Sequence, residues 1–172
     1  MTELDQIWSQ FLTEAALRAR NDDSSEIADY LRVKAVNDAI RNEGVRWLFD
    51  AAIELAAELN RRSAAIEIER IDGHSFKRGS SNMAGHLIRL SQGVRCLSVE
   101  AGWTRTPSDG IMRRGALAAA RIRHFGIKRS NADLSLAYAG DLPLWHIEDE
   151  DGRRTPFRIV DLHDHFRVFL DV

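Results

Sequence analysis

The sequence predicts an α+β fold: two or three N-terminal helices packed on a mostly antiparallel sheet of about six or seven strands, with a short C-terminal helix. Three observations carry that reading. Apolar residues recur at helical spacing as far as residue 62, and beyond it the period changes to two. The period-2 runs follow one another directly, and strands gathered apart from helices argue α+β. The links between them are mostly too short for parallel crossovers. We read 1–172 as a single domain, with a helical layer over 1–62, the sheet over 63–160 and the last helix over 161–172.

Leu4, Ile7, Trp8, Phe11, Leu12, Ala15 and Ala19 fall on one stripe of an expected helix over 2–20. Asn21 to Ser25 stops it and restarts another, with Asp23 or Ser24 as N-cap and Glu26 three residues after Asp23. The second pattern runs from Ser25 to about Arg61 through Ile27, Leu31, Ala35, Ile40, Leu48, Ala52, Leu55 and Leu59. Its one internal weak point is Gly44, either a C-terminal cap or a residue costing about 1 kcal/mol relative to alanine. The spacing favours one long helix, with a pair broken at Gly44 as the alternative.

Ala64, Ile66 and Ile68 then alternate with Ala65, Glu67 and Glu69, an expected strand ending at Asp72-Gly73. His74 to Gly85 reads as a loop because glycine, serine and asparagine crowd it. A short strand over 86–91 turns at Gln92-Gly93 into the clearest strand of the chain, where Leu97, Val99, Ala101 and Trp103 share one face. Pro107, Asp109 and Gly110 mark the next loop. The return strand carries Ala116, Ala118, Ala120 and Ile122 on one side and Arg121 and Arg123 on the other. Further strands are expected over 134–138, 142–148 and 155–160. Asp161 is placed to cap a helix whose apolar side is Leu162, Phe166, Phe169 and Leu170.

The totals set bounds. A chain of 172 residues can bury about two-thirds of its unfolded surface, so no disulfide or metal staple is needed. Hydrophobic content of 44% and charged content of 29% suit a soluble globular protein. Acids occupy the N-terminus where a signal peptide carries basic residues, no apolar run reaches membrane-spanning length, and Cys96 is the one cysteine. Together these point to a cytoplasmic protein with no membrane partner.

A net charge of −2 conceals segregation. Residues 1–73 hold 9 Lys/Arg against 15 Asp/Glu, residues 74–130 hold 11 against 2, and residues 131–172 hold 4 against 9. That basic middle either meets an anionic partner or is neutralised by the protein's own acids. For the first case the candidate ligand-binding residues are Arg105, Arg113, Arg114, Arg121, Arg123, Lys128 and Arg129, with Trp103 or Phe125 able to stack a base. The expected role is a non-catalytic binding or assembly module presenting a basic surface, nucleic acid first and an acidic protein second, with no cofactor.

Two alternatives use other residues. His146, Asp161, His163 and Asp164 are the side-chain types that hold zinc or manganese in a metal-dependent hydrolase, although His163 and His165 would diverge on a helix. A dyad of Cys96, Ser75, Ser80 or Ser81 with His74 or His86 lacks any nucleophile-elbow pattern. The other alternative is a structural homo-oligomer or adaptor, since four tryptophans and an alanine-rich helix favour association as a homodimer.

Overall fold

The computed structural model describes Glu14, residues 25–149 and residues 151–171. Helix α1 (Ser25–Arg61) is followed by seven strands, β1 (Glu67–Arg78), β2 (Ser81–Gln92), β3 (Arg95–Trp103), β4 (Ala118–His124), β5 (Ala132–Ala139), β6 (Leu142–Glu148) and β7 (Arg154–Pro156), and then by helix α2 (Ile159–Leu170). The strands form one sheet in chain order, every neighbour antiparallel. The fold is therefore α+β as expected. Among the described residues, however, a single N-terminal helix precedes the sheet rather than two or three. The helix expected over 2–20 lies outside them, apart from Glu14, which is helical.

Gly44 does not break α1. It lets the helix approach the sheet: a Cβ there would lie 2.6 Å from Leu136 Cδ2, and Trp145 Nε1 donates to the Gly44 carbonyl at 2.9 Å. A glycine in mid-helix here serves close packing, at the propensity cost such a residue carries. Beyond it Val45, Leu48, Phe49, Ala52, Leu55 and Ala56 are buried against Ile88, Leu90, Leu97, Val99, Ala120, Ile122 and Leu134. Arg41 ties the same stretch to the sheet by donating from Nε to the Leu117 carbonyl at 2.8 Å. The helix ends where Asn60 clamps the backbone of Ile66, donating to its carbonyl and accepting its N–H.

Register fixes the two faces of the sheet, because residues paired across an antiparallel ladder share a side. Val99 pairs Ile122, Ala120 pairs Leu134 and Leu136 pairs Trp145, all toward α1 and α2. Glu100 pairs Arg121, Ala119 pairs Ser135 and Asp133 pairs Glu148, all on the opposite, open face. Trp103 is buried in the core, as its parity predicted.

The stretch expected to be a loop, His74 to Gly85, is instead the outer half of a hairpin. Its turn-forming residues are spread over separate jobs. Gly73 sits at a register shift between Asp72 and His74, Gly79 makes the tight turn, and Gly85 faces Gly102 across β2 and β3. Each is absorbed locally, and Phe76 paired with Met83 gives the hairpin its own small apolar cluster with Ala119. The strand expected over 155–160 is only Arg154–Pro156: the Phe157 N–H still bonds the Trp145 carbonyl, but Arg158 then caps α2 and the chain turns into the helix. Asp161 is not the N-cap of that helix. Arg158 is, and Asp161 accepts its backbone N–H at 2.7 Å from three residues on.

Candidate functional site

The open face carries a cluster of charged side chains, and its shape comes from the hairpin tip. In a flat sheet β1 and β5 would lie four spacings apart, about 19 Å. Yet the Arg78 guanidinium, from β1, donates to the Leu134 carbonyl of β5 and to the Glu148 carboxylate of β6. The bulge after Asp72 and the twist of a long hairpin curl it over the face. The loop from Thr104 to Leu117 reaches the same place. Gly110 packs on Ser81, where a Cβ would come within 2.6 Å of the hydroxyl, and Ser81 Oγ donates to the Ile111 carbonyl at 3.2 Å.

Between hairpin tip, loop and sheet lies a cleft of about 240 Å³, bordered by Arg78, Ser81, Arg113, Arg114, Ser135 and Glu148, with Met83, Met112 and Ala119 lining its apolar part. Glu148 is its electrostatic hub. Its Oε1 accepts from Ser135 Oγ at 3.0 Å and from Arg154 Nε at 2.9 Å, while Oε2 takes Arg78. Burial pushes the Glu148 carboxyl up, but Arg78, Arg154 and Ser135 outweigh it and hold the group below its ordinary value. Burial likewise lowers the pKa of Arg78, with Glu148 and Asp133 opposing. Arg114 holds a left-handed backbone (φ 55°, ψ 35°), and its guanidinium donates to the Gly152 carbonyl at 2.6 Å.

Arg121 and Arg123 do project from the face opposite the helices, but they meet acids there. Arg121 approaches Glu100 at 3.4 Å and Asp133 at 4.0 Å, and Arg123 bonds Asp133 and the Ala132 carbonyl. Glu100 also holds His74 Nε2 at 2.7 Å. Arg89 pairs with Glu69 in the same cross-strand manner. Arg105 leaves the face altogether: its guanidinium carbon lies 3.7 Å from the Trp103 ring centroid.

Lys128 and Arg129 occupy the short 3₁₀ turn Lys128–Ser130, after β4. Phe125, which precedes that turn, bonds its N–H to the Cys96 carbonyl and so continues the register of β4 onto the open-face side. It is 78% exposed, and Val94 in the neighbouring turn is 91% exposed. Six residues separate Ala119 in the cleft from Phe125, about 20 Å along a strand. Apart from Arg105, the basic candidates therefore fall into two separate places, Arg113 and Arg114 at the cleft and Lys128 and Arg129 beyond β4, with the neutralised Arg121 and Arg123 between.

The metal candidates do not converge. His146 lies on the open face beside Ser135 and Pro156, Asp161 serves the start of α2, and Asp164 pairs with Arg167 at 2.9 Å. His163, on α2, borders a different, shallow hollow with Asp50, Glu54 and Ile159. Among the described residues no three His, Cys, Asp or Glu side chains are grouped as a metal site would need. Nor do the dyad residues assemble, since His74 is held by Glu100 and His86 Nδ1 by Asp72 at 2.8 Å.

Sequence reading missed the Arg78–Glu148–Arg154 cluster as a unit. Its members lie in a stretch taken for a loop, at a strand end and in an acidic turn, so only the curl of the hairpin unites them. It also missed the His124–His165 hydrogen bond at 2.9 Å between β4 and α2. Burial lowers both imidazoles, His165 to about 4, with His124 contributing.

No family model matches the chain, and no curated protein and no solved structure matches it. Among the described residues, no helix is long and apolar enough to cross a membrane.

Proposed function

We propose that the protein is a non-catalytic binding module that presents a basic surface to single-stranded nucleic acid at the Phe125 end of its open face. The observation that supports this is the pairing of an aromatic ring 78% exposed with two cations, Lys128 and Arg129, whose side chains have no hydrogen-bonding or ion-pair partner among the described residues. A base stacks on any aromatic face, and neighbouring cations track the phosphates without reading sequence. Duplex suits this end less, because it offers a protruding ring rather than a helix for a groove.

The same reading puts the protein in the cytoplasm, where Cys96 stays reduced, and makes it a homodimer. Support for the dimer comes from the first half of α1, where Ile27, Tyr30, Val33 and Val36 are exposed. An acidic protein partner would use the same cations.

Fluorescence anisotropy of labelled single-stranded DNA, RNA and duplex DNA tests the reading at low and physiological salt. Single strands should bind more tightly than duplex, and the affinity should fall steeply with salt. Lys128→Glu with Arg129→Glu should abolish binding, and Phe125→Ala should weaken it by roughly tenfold, the stacking of one base. Absence of binding at low salt, or binding indifferent to these changes, would reject the proposal.

A further inference from the structure

The geometry points to a second, separate site: the cleft under the hairpin tip binds a small oxyanion, the phosphate or carboxylate group of a molecule with a short apolar body. Its charge count is the first argument. Three guanidiniums, of Arg78, Arg113 and Arg114, border the cleft against one carboxylate. That carboxylate is already used, because Glu148 accepts from Arg78, Arg154 and Ser135 at once. It has little left to offer the Arg113 side chain, which makes no hydrogen bond or ion pair with any described residue; only the Arg113 carbonyl is engaged, by the Ala116 N–H.

The second argument is the charge behind Glu148. Arg154 uses Nε on Glu148 and Nη1 on the Arg114 carbonyl at 3.0 Å, but its Nη2 is buried without a partner. Arg154 is not among the residues that border the cleft, so this group adds positive charge behind Glu148 rather than a donor that a ligand could reach. The third is rigidity. Arg114 is pinned on both sides, by its own bond to the Gly152 carbonyl and by Arg154 on its backbone, which fixes the chain next to Arg113 at the cleft rim. Guanidinium forks recognise both carboxylate and phosphate bidentately, so the head group is defined as an oxyanion and not further.

Size and lining define the remainder. A space of about 240 Å³ lies below the range of drug-sized pockets, and Met83, Met112 and Ala119 give it an apolar part. The ligand is therefore small. This site shares no residue with the Phe125 end, so neither proposal depends on the other.

Thermal unfolding and calorimetric titration with inorganic phosphate and with butyrate, each against chloride at matched ionic strength, test the inference. At a tenfold excess over its Kd, the effective anion should raise the melting temperature by about 3–6 °C. Arg113→Ala, at an exposed side chain without a partner, should leave the fold unchanged and lower the affinity at least tenfold. Lys128→Ala should bind like the wild type. A response to phosphate identifies that head group, and a response to butyrate the carboxylate with its apolar body. If neither anion exceeds chloride, or if Arg113→Ala and Lys128→Ala respond alike, the site does not exist.

Discussion

Four arginines of the strands and three cations of the loops have opposite fates, although all come from the same basic stretch of sequence. In the strands, Arg78, Arg89, Arg121 and Arg123 each meet a carboxylate from another element, Glu148, Glu69, Glu100 or Asp133. In the loops, Arg113, Lys128 and Arg129 meet none among the described residues. The difference is one of geometry. A strand residue is given a cross-strand neighbour about 5 Å away whether or not that neighbour is close in sequence, which brings Glu69 to Arg89 and Glu100 to Arg121, while the curl of the hairpin brings Arg78 to Glu148. Arg113, Lys128 and Arg129 receive no such partner among the described residues, and their charge is left for solvent or a ligand.

The strongest test of this contrast is Glu148→Ala. It would leave Arg78 and Arg154 half-buried with no counter-charge, and removing one partner of such a cluster costs far more than the cluster is worth as a whole. We expect a loss of about 3 kcal/mol, read as a lower midpoint of urea unfolding at an unchanged slope. A loss below about 1 kcal/mol would mean that Arg78 finds solvent as easily as a loop cation does.

The His124–His165 pair sharpens the contrast from the other side, because here a strand residue meets a second base instead of an acid. His165 titrates near 4 in the folded protein against 6.5 unfolded, burial being the main cause and His124 the next, with Asp161 and Asp164 opposing. The folded state thus binds fewer protons than the unfolded state between those values. Stability from this pair is complete above pH 6.5 and falls as the pH drops toward 4, by at most on the order of 3 kcal/mol. His165→Leu should flatten unfolding profiles between pH 6.5 and 4.5, above the range where Glu148 and Asp38, both held below their ordinary values, begin to protonate. An unchanged slope in the variant would remove the pair as its cause.

What the sequence could reveal follows the same division. Parity along 97–103 and 118–122 gave the core face and correctly sent Arg121 and Arg123 to the opposite side. The identity of their partners was not readable, because strand order and register bring in Glu100 and Asp133 from outside the pattern. The hairpin was misread for a related reason. Glycine and serine signal a turn by composition, but at Gly73, Gly79 and Gly85 they answer a bulge, a turn and a close approach at separate points of one ladder. Gly44 is different: the spacing favours one long helix through it, as found, and only the reason for a glycine there, Leu136 more than ninety residues away, is not legible. The cleft depends on all of these long-range contacts together. Arg78, Ser81, Arg113 and Arg114 stand out singly in the sequence, but nothing in it brings them together at Glu148.

The smallest expected effect separates the two classes of cation most directly. Arg121→Glu with Arg123→Glu places two new carboxylates beside Glu100 and Asp133, and also removes the bond to the Ala132 carbonyl. Like charges on paired strand positions repel, and these side chains are only a quarter to a third exposed, so solvent screens them incompletely. The double reversal should cost about 2 kcal/mol. Lys128→Glu with Arg129→Glu, the same formal change, should stay within about 0.5 kcal/mol, as surface substitutions away from specific partners do. Parallel urea titrations at low and high salt would compare them, and salt should recover part of the loss in the strand variant alone. Equal losses would show that the strand ion pairs contribute no more than exposed charges, and the division between neutralised strands and available loops would fall.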